Sequence, residues 1–192
     1  MIDHALDQGN VAQQVWFTGK KNPFMSGMQA RHIYIRGHGL SGAGFILARR
    51  RSTYYKYTEV VSRLITSGLP KTFSGKLKCY HCHSAESIDP SGSADSHVFE
   101  TRGVAFAQIV ADELYARGYR NCTYYGYEGG IDAMPKDGTG GRHMFVRGFL
   151  VGSDGKSRNN AELGRVSDFR RQFTPRSVPT KRSMLGMLFG GM

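Results

Sequence analysis

One short run constrains the fold more than any other: His32–Arg36 alternates apolar and polar residues and ends at Gly37–His38–Gly39. The alternation puts Ile33 and Ile35 on one face, as in a half-buried strand. Glycines directly after a strand permit a sharp turn and close backbone approach. The same grammar recurs downstream. Phe45–Ala48 starts a further short strand or loop. Thr58–Ser67 reads as a helix, with Val60, Val61, Leu64 and Ile65 on one stripe, Thr58 as cap and Gly68 at the stop. Pro70 then prevents continuation. Gly75–Cys82 is the second main strand. Phe106, Ile109, Val110 and Leu114 mark a second helix, ended by Gly118. Cys122–Tyr127 and Met144–Val151 are the third and fourth strands, and Asp154–Gly155 supplies a turn for a C-terminal β-hairpin.

Strand, helix, strand, helix, strand predicts an α/β fold with a mostly parallel central sheet and right-handed crossovers. Residues 1–30 read as a loosely structured lead-in, with a strand or short helix around Val11–Phe17. Ser84–Ser96 reads as a surface loop and Gly129–Gly141 as a long glycine-rich one. Beyond Ser157 the pattern weakens, and 175–192 is a basic tail marked by Pro and Gly.

In 192 residues, with 40% hydrophobic content, there is enough apolar material for one compact core. No apolar run reaches the roughly 18 to 20 residues that span a bilayer. Met1–Asn10 holds Asp3 and Asp7 and no basic segment, which predicts no Sec signal peptide. The expected setting is therefore the cytoplasm, or export by a dedicated system into a host or competitor cell. Three cysteines do not make a disulfide framework. The net charge is +11 and unevenly spread: +8 over residues 1–76, −2 over 77–152 and +5 over 153–192. A basic excess attracts polyanions, and it also serves plain solubility. The excess lies in the flanks, which suits a peripheral polyanion site better than a nucleic-acid enzyme.

Cys79–Tyr80–His81–Cys82–His83 is the densest chemistry in the chain. As C-x-x-C-H it matches a c-type haem attachment site, which normally needs export. As a zinc site it offers two Cys and two His within five residues, too close for one tetrahedral ion, and no second ligand pair follows. The third reading is a nucleophile at a strand end. Alternation buries Cys79 and leaves Cys82 as the first thiol free at the tip. A fourth treats the cysteines as small core hydrophobes. A thiol is a usable nucleophile near neutral pH, and a nearby imidazole raises its thiolate fraction or takes its proton. His38 and Cys82 end two strands joined by one crossover helix, where α/β sheets place their sites. The N–H groups of Gly39 and Cys82 would then form an oxyanion hole. His81 and His83 are rival bases, disfavoured because adjacent residues in a strand face opposite ways from Cys82.

The ordered pair, Ile33–Gly39 and then Leu77–Cys82, resembles the caspase-like (clan CD) cysteine peptidases. It is most similar to the self-cleaving cysteine peptidase domain of large bacterial toxins, the clostridial glucosylating and MARTX toxins. The resemblance covers roughly residues 31–150. It implies a caspase-like three-layer sandwich, a catalytic domain over 31–174, His38 as base or acid and Cys82 as nucleophile. It implies a protein or peptide substrate, no metal, and no cofactor for the chemistry. It also implies inositol hexakisphosphate as an allosteric activator, hence a bacterial effector acting inside a host. For such a polyanion the candidates are Lys20, Lys21, Arg49, Arg50, Arg51, Arg170 and Arg171, and the residues do not choose among them. Two other readings stay open. One is a non-enzymatic basic α/β module that binds nucleic acid or polyphosphate, with Tyr124, Tyr125 and Tyr127 as stacking candidates. The other is a deamidase or acyltransferase on the same dyad. Glu128 and Asp132, after the third strand, would either read a basic substrate side chain or sit in a solvated loop.

Overall fold

The structure is a computed structural model that describes residues 11–48, 53–87, 103–132, 134–138 and 141–176. The central sheet has four strands in the order β1 (His32–Ile35), β4 (Lys76–Cys79), β5 (Thr123–Tyr127) and β11 (Arg170–Phe173). The first three run parallel, with Ile33 beside Leu77, Ile35 beside Cys79 and Leu77 beside Tyr124. β11 is antiparallel to β5. The fold is thus mixed α/β with a mixed sheet.

Alternation sorts the two faces of the sheet. Ile33, Ile35, Leu77, Cys79 and Tyr124 point into the main core. There they meet α2 (Tyr57–Thr66) through Val60 and Val61, and α3 (Phe106–Ala116) through Phe106, Val110 and Leu114. Full burial of a large apolar side chain stabilises by about 1.5–3 kcal/mol, so these positions dominate the fold's stability. α2 packs on α3, and α3 packs on β4, β5 and β11, so both long helices cover the same face. The opposite face is aromatic. The Tyr34 and Tyr80 rings are 5.6 Å apart and the Tyr80 and Tyr127 rings 4.9 Å apart, a ladder across β1, β4 and β5. Tyr80 and Tyr127 form a second small core with Val146 and Val166.

Those two valines come from a second unit of β6 (Gly130–Ile131), β9 (Phe145–Val151) and β10 (Ser157–Arg165), with Val166–Phe169 in a 3-10 turn. β9 and β10 form the C-terminal hairpin, turning at Asp154–Gly155, with Gly155 at φ +71°. Two antiparallel pairs complete the architecture, β2 (Phe45–Leu47) with β3 (Tyr54–Lys56), and β7 (Lys136–Gly138) with β8 (Gly141–His143).

Several expectations need correction. Val11–Phe17 forms no regular element; the lead-in holds instead α1 (Pro23–Ser26), where the Asn22 side chain accepts the Met25 N–H at 3.1 Å. Thr58 lies inside α2 and does not cap it; Glu59 accepts the Lys56 N–H at 2.9 Å. The 129–141 stretch is not a plain loop, since β6, β7 and the start of β8 lie in it. Beyond Ser157 there are two strands, both largely exposed and polar, and their lack of apolar alternation hides them. Among the described residues no helix is long and apolar enough to cross a membrane. Arg49–Arg51 and residues 177–192 lie outside the described residues. Pro175 and Arg176 are described, and Arg176 binds the Asp112 carboxylate at 2.6 Å.

Candidate active site

β1 and β4 are parallel neighbours, and their last ladder bond runs from the Tyr80 N–H to the Ile35 carbonyl at 2.8 Å. His38 and Cys82 each sit three residues past the registered pair Ile35 and Cys79. β4 ends earlier than the expected Gly75–Cys82 run, at Cys79, whose carbonyl accepts from the Ser84 hydroxyl at 2.5 Å and from the His81 N–H at 3.0 Å.

The backbone of His38 is fixed by β2. Its N–H meets the Leu47 carbonyl at 2.9 Å and its carbonyl accepts the Leu47 N–H at 2.8 Å. The imidazole is exposed. Gly39 lies hard against the Cys82 turn: a Cβ there would stand 2.2 Å from the Cys82 carbonyl oxygen and 2.2 Å from His81 Nδ1. The two turns that end β1 and β4 are thus in contact at their backbones. Among the described residues neither the Gly39 N–H nor the Cys82 N–H is bonded to an acceptor.

The three cysteines sit in different surroundings. Cys79 is 1% exposed, and burial pushes its thiol far up, so it stays protonated. Its burial also removes it from reach as a haem attachment point. Cys122 is half-buried, donates to the Phe73 carbonyl at 3.5 Å, and burial raises it as well. Cys82 is half-buried, and its sulfur accepts the Ile131 N–H at 3.2 Å.

Of the rival bases, His81 is buried and His83 is paired. His81 is 2% exposed against the Phe106 ring, with Nδ1 3.1 Å from the Cys82 carbonyl and Nε2 without a partner among the described residues. Burial pushes it down to about 4, so it is neutral near pH 7. His83, at φ +58°, places Nδ1 2.8 Å from Glu86 Oε2.

Glu86 and Ser84 carry no motif, and both fall in the stretch that reads as a surface loop. Residues 84–87 are irregular, as that reading expects, but Ser84 lies inside the fold; residues 88–96 lie outside the described residues. Ser84 is fully buried, and its oxygen also accepts the Tyr127 N–H at 2.8 Å. Glu86 accepts from Ser41 Oγ at 2.6 Å, from His83 and from the Gly129 N–H at 2.6 Å. The His83 hydrogen bond above all, with those from Ser41 and Gly129, pulls Glu86 down to about 2.

Glu128 pairs with Arg171 at 2.5 Å, and Asp132 pairs with Arg147 at 3.0 Å, so both acids are engaged within the fold. Tyr124 faces the helices, while Tyr127 faces the second core and Tyr125 has Arg170 over its ring at 5.0 Å. Among the described residues no three His, Cys, Asp or Glu side chains converge as a metal site.

Two acid-labile groups define a stability profile. An unfolded imidazole takes a proton below about 6.5, whereas folded His81 does not until about 4, so stability falls as pH drops through that window. Glu86 contributes in the same direction between its ordinary 4.5 and about 2. Denaturant midpoints measured against pH should therefore fall below about 6.5 and keep falling below 4.5. In Glu86→Gln the lower part of the fall should be lost.

Across the second face lies a cavity of about 270 Å³, lined by Lys78, Arg142, Arg165 and Arg170 among tyrosines, with no carboxylate in its wall. Lys78 is 6% exposed, and its Nζ donates to the Tyr34 hydroxyl at 2.8 Å. Comparison with protein-family models, with curated proteins and with solved structures finds no match to the chain.

Proposed function

We propose that the chain is a cysteine peptidase or related thiol hydrolase of caspase-like type, with Cys82 as nucleophile and His38 as proton carrier. The observation that carries this is the backbone contact of Gly39 with the Cys82 turn at the ends of two adjacent parallel strands. Cys82 as thiolate attacks the acyl carbon of a peptide bond. The developing oxyanion meets the N–H groups of Gly39 and Cys82, which have no acceptor among the described residues. His38 protonates the leaving amine. Water then attacks the thioester, gives its proton to His38 and frees Cys82. A deamidase would release ammonia at the same step, and an acyltransferase would replace the water with an amine. The test is to digest a denatured whole-cell protein extract and count new peptide N-termini. They should appear with the wild type and be absent with Cys82→Ala. An equal set from both proteins would overturn the reading.

The basic cavity supports a second component, a regulatory polyanion such as inositol hexakisphosphate. Four cationic side chains in one wall suit several phosphates, with Arg142 also paired to Asp137 at 3.5 Å. Of the residues singled out by sequence, Arg170 lines this cavity, whereas Arg171 is tied to Glu128 and Lys20 and Lys21 are not in its wall. The cavity wall also leads to the thiol. Met144 and Val166 line it, Val146 pairs with Ile131, and the Ile131 N–H holds the Cys82 sulfur. Under this reading the protein is an effector working in a cell that supplies the polyphosphate. A charge-assisted hydrogen bond contributes about 1.5–3 kcal/mol, so Lys78→Met should weaken inositol hexakisphosphate binding by about 10- to 100-fold. Calorimetric titration measures it. Unchanged affinity would remove Lys78 from the site. Steeply salt-dependent binding to nucleic acid that survives Cys82→Ala, with no peptide cleavage, would favour the basic-module reading instead.

A further inference from the structure

Glu86 lies where three loops meet, and each loop carries a part of the candidate site. The loop after β1 holds His38, and three residues on, Ser41 Oγ donates to Glu86 Oε2 at 2.6 Å. The turn after β4 holds Cys82, and His83, next to it, places Nδ1 2.8 Å from the same oxygen. The loop after β5 leads to Ile131, whose N–H holds the Cys82 sulfur, and two residues earlier Gly129 N–H donates to Glu86 Oε1 at 2.6 Å. Backbone bonds follow the same lines, from Gly42 N–H to the Glu86 carbonyl at 3.1 Å and from His83 N–H to the Gly129 carbonyl at 2.9 Å.

We propose that Glu86 is a positioning residue that sets the placement of His38 against the Cys82 sulfur by tying the β1, β4 and β5 loops to one carboxylate. The inference rests on the His38–Cys82 reading above. Glu86 itself does not touch sulfur. Strand pairing fixes β1 against β4 only as far as Tyr80. Beyond that point the exposed His38 loop is held to the Cys82 side by the close approach of Gly39 and by the Ser41 and Gly42 bonds to Glu86. Cutting the Ser41–Glu86 tie lets the His38 loop drift without touching either reacting side chain. An amide at position 86 can still accept the Gly129 N–H and donate to the Ser41 oxygen, so Glu86→Gln keeps the tie.

The experiment measures the alkylation rate of Cys82 by iodoacetamide at pH 7, resolved by peptide mass spectrometry. The full-length wild type, Glu86→Ala, Glu86→Gln and Ser41→Ala are each compared with and without His38→Ala. In the wild-type background His38→Ala should slow alkylation about tenfold, because an ordinary thiol is only a few per cent thiolate at this pH. In the Glu86→Ala and Ser41→Ala backgrounds that factor should shrink to within about twofold of unity, as expected when two side chains are no longer coupled. Glu86→Gln should restore most of it. A purely structural role would change melting temperature without changing the His38-dependent factor. Should Glu86→Ala fail to fold, Ser41→Ala carries the test, since it removes one hydroxyl from a half-buried position. A full His38-dependent factor in Glu86→Ala or Ser41→Ala overturns the inference and leaves the dyad standing. No His38 dependence in the wild type overturns the dyad reading, and the inference with it.

Discussion

Gly39→Ala is expected to cut turnover by about 10²-fold and to destabilise the fold. The added Cβ would stand 2.2 Å from the Cys82 carbonyl oxygen and 2.2 Å from His81 Nδ1. The first is a backbone atom, so relief requires moving the Cys82 peptide. The second belongs to an imidazole that is 2% exposed and packed on the Phe106 ring at 4.8 Å. Overpacking of this kind costs about 1–3 kcal/mol or more. The kinetic effect should be of comparable size, because a displacement of about 1 Å in a reacting pair can cost 10²-fold. Gly27→Ala is the control. Its Cβ would meet only carbonyl oxygens at 3.6 and 3.9 Å, which is ordinary contact. Melting temperature and peptide cleavage measured on both variants check the expectation. Gly39→Ala should lower both, and Gly27→Ala neither.

Cys82→Ala should remove hydrolysis by about 10⁴- to 10⁶-fold, the scale on which loss of a nucleophile acts. The fold should survive, because among the described residues the sulfur's hydrogen bonds are to the Ile131 N–H at 3.2 Å and, longer, to the Ile131 carbonyl at 3.8 Å. His38→Ala should act on the same step, also without unfolding, because the backbone bonds of His38 to Leu47 do not involve its ring. Cys79→Ala should behave in the opposite way. Cys79 is buried in the main core, so its truncation should lower stability by about 1 kcal/mol or more and leave the chemistry in place. Turnover and denaturant midpoints across the three variants separate these effects. Chemistry lost in Cys79→Ala but kept in Cys82→Ala would reassign the nucleophile.

Much of the central sheet was legible in the sequence because its parallel strands are half-buried. Ile33 and Ile35, with the polar residues between them, announce β1. The Val60–Ile65 stripe and the Phe106–Leu114 stripe announce the two long helices that cover one face. Parallel pairing of β1 and β4 followed from one crossover helix between them. The antiparallel β11 was not legible, since Arg170–Gln172 is exposed and reads as solvated surface. The same holds for β10, which is held by pairing with β9 and has little apolar face of its own. β4 stops at Cys79, whose carbonyl accepts local bonds from the Ser84 hydroxyl and the His81 N–H that no periodicity reports.

The site divides in the same way. His38, Gly39 and Cys82 could be singled out because they follow two strands that the sequence places side by side. Glu86 could not. Its partners Ser41 and Gly129 are 45 and 43 residues away, and each is an ordinary loop residue on its own. The basic cavity was equally hidden. Lys78 looks like a misplaced charge in a strand until the Tyr34 hydroxyl and three arginines are seen around it. Charge counting placed the basic excess in the flanks, yet Lys78 and Arg142 come from the slightly acidic middle segment.

The central claim is that His38 activates Cys82 for attack on an acyl carbon, and p-nitrophenyl acetate tests it without knowledge of the natural substrate. Intact-mass and peptide analysis would follow the acetyl group on each cysteine over time. The account predicts acetylation at Cys82 far faster than at Cys79 or Cys122, loss of the acetyl group by hydrolysis, and marked slowing of both steps in His38→Ala. Acetylation spread evenly between Cys82 and Cys122, or unchanged by His38→Ala, would contradict it.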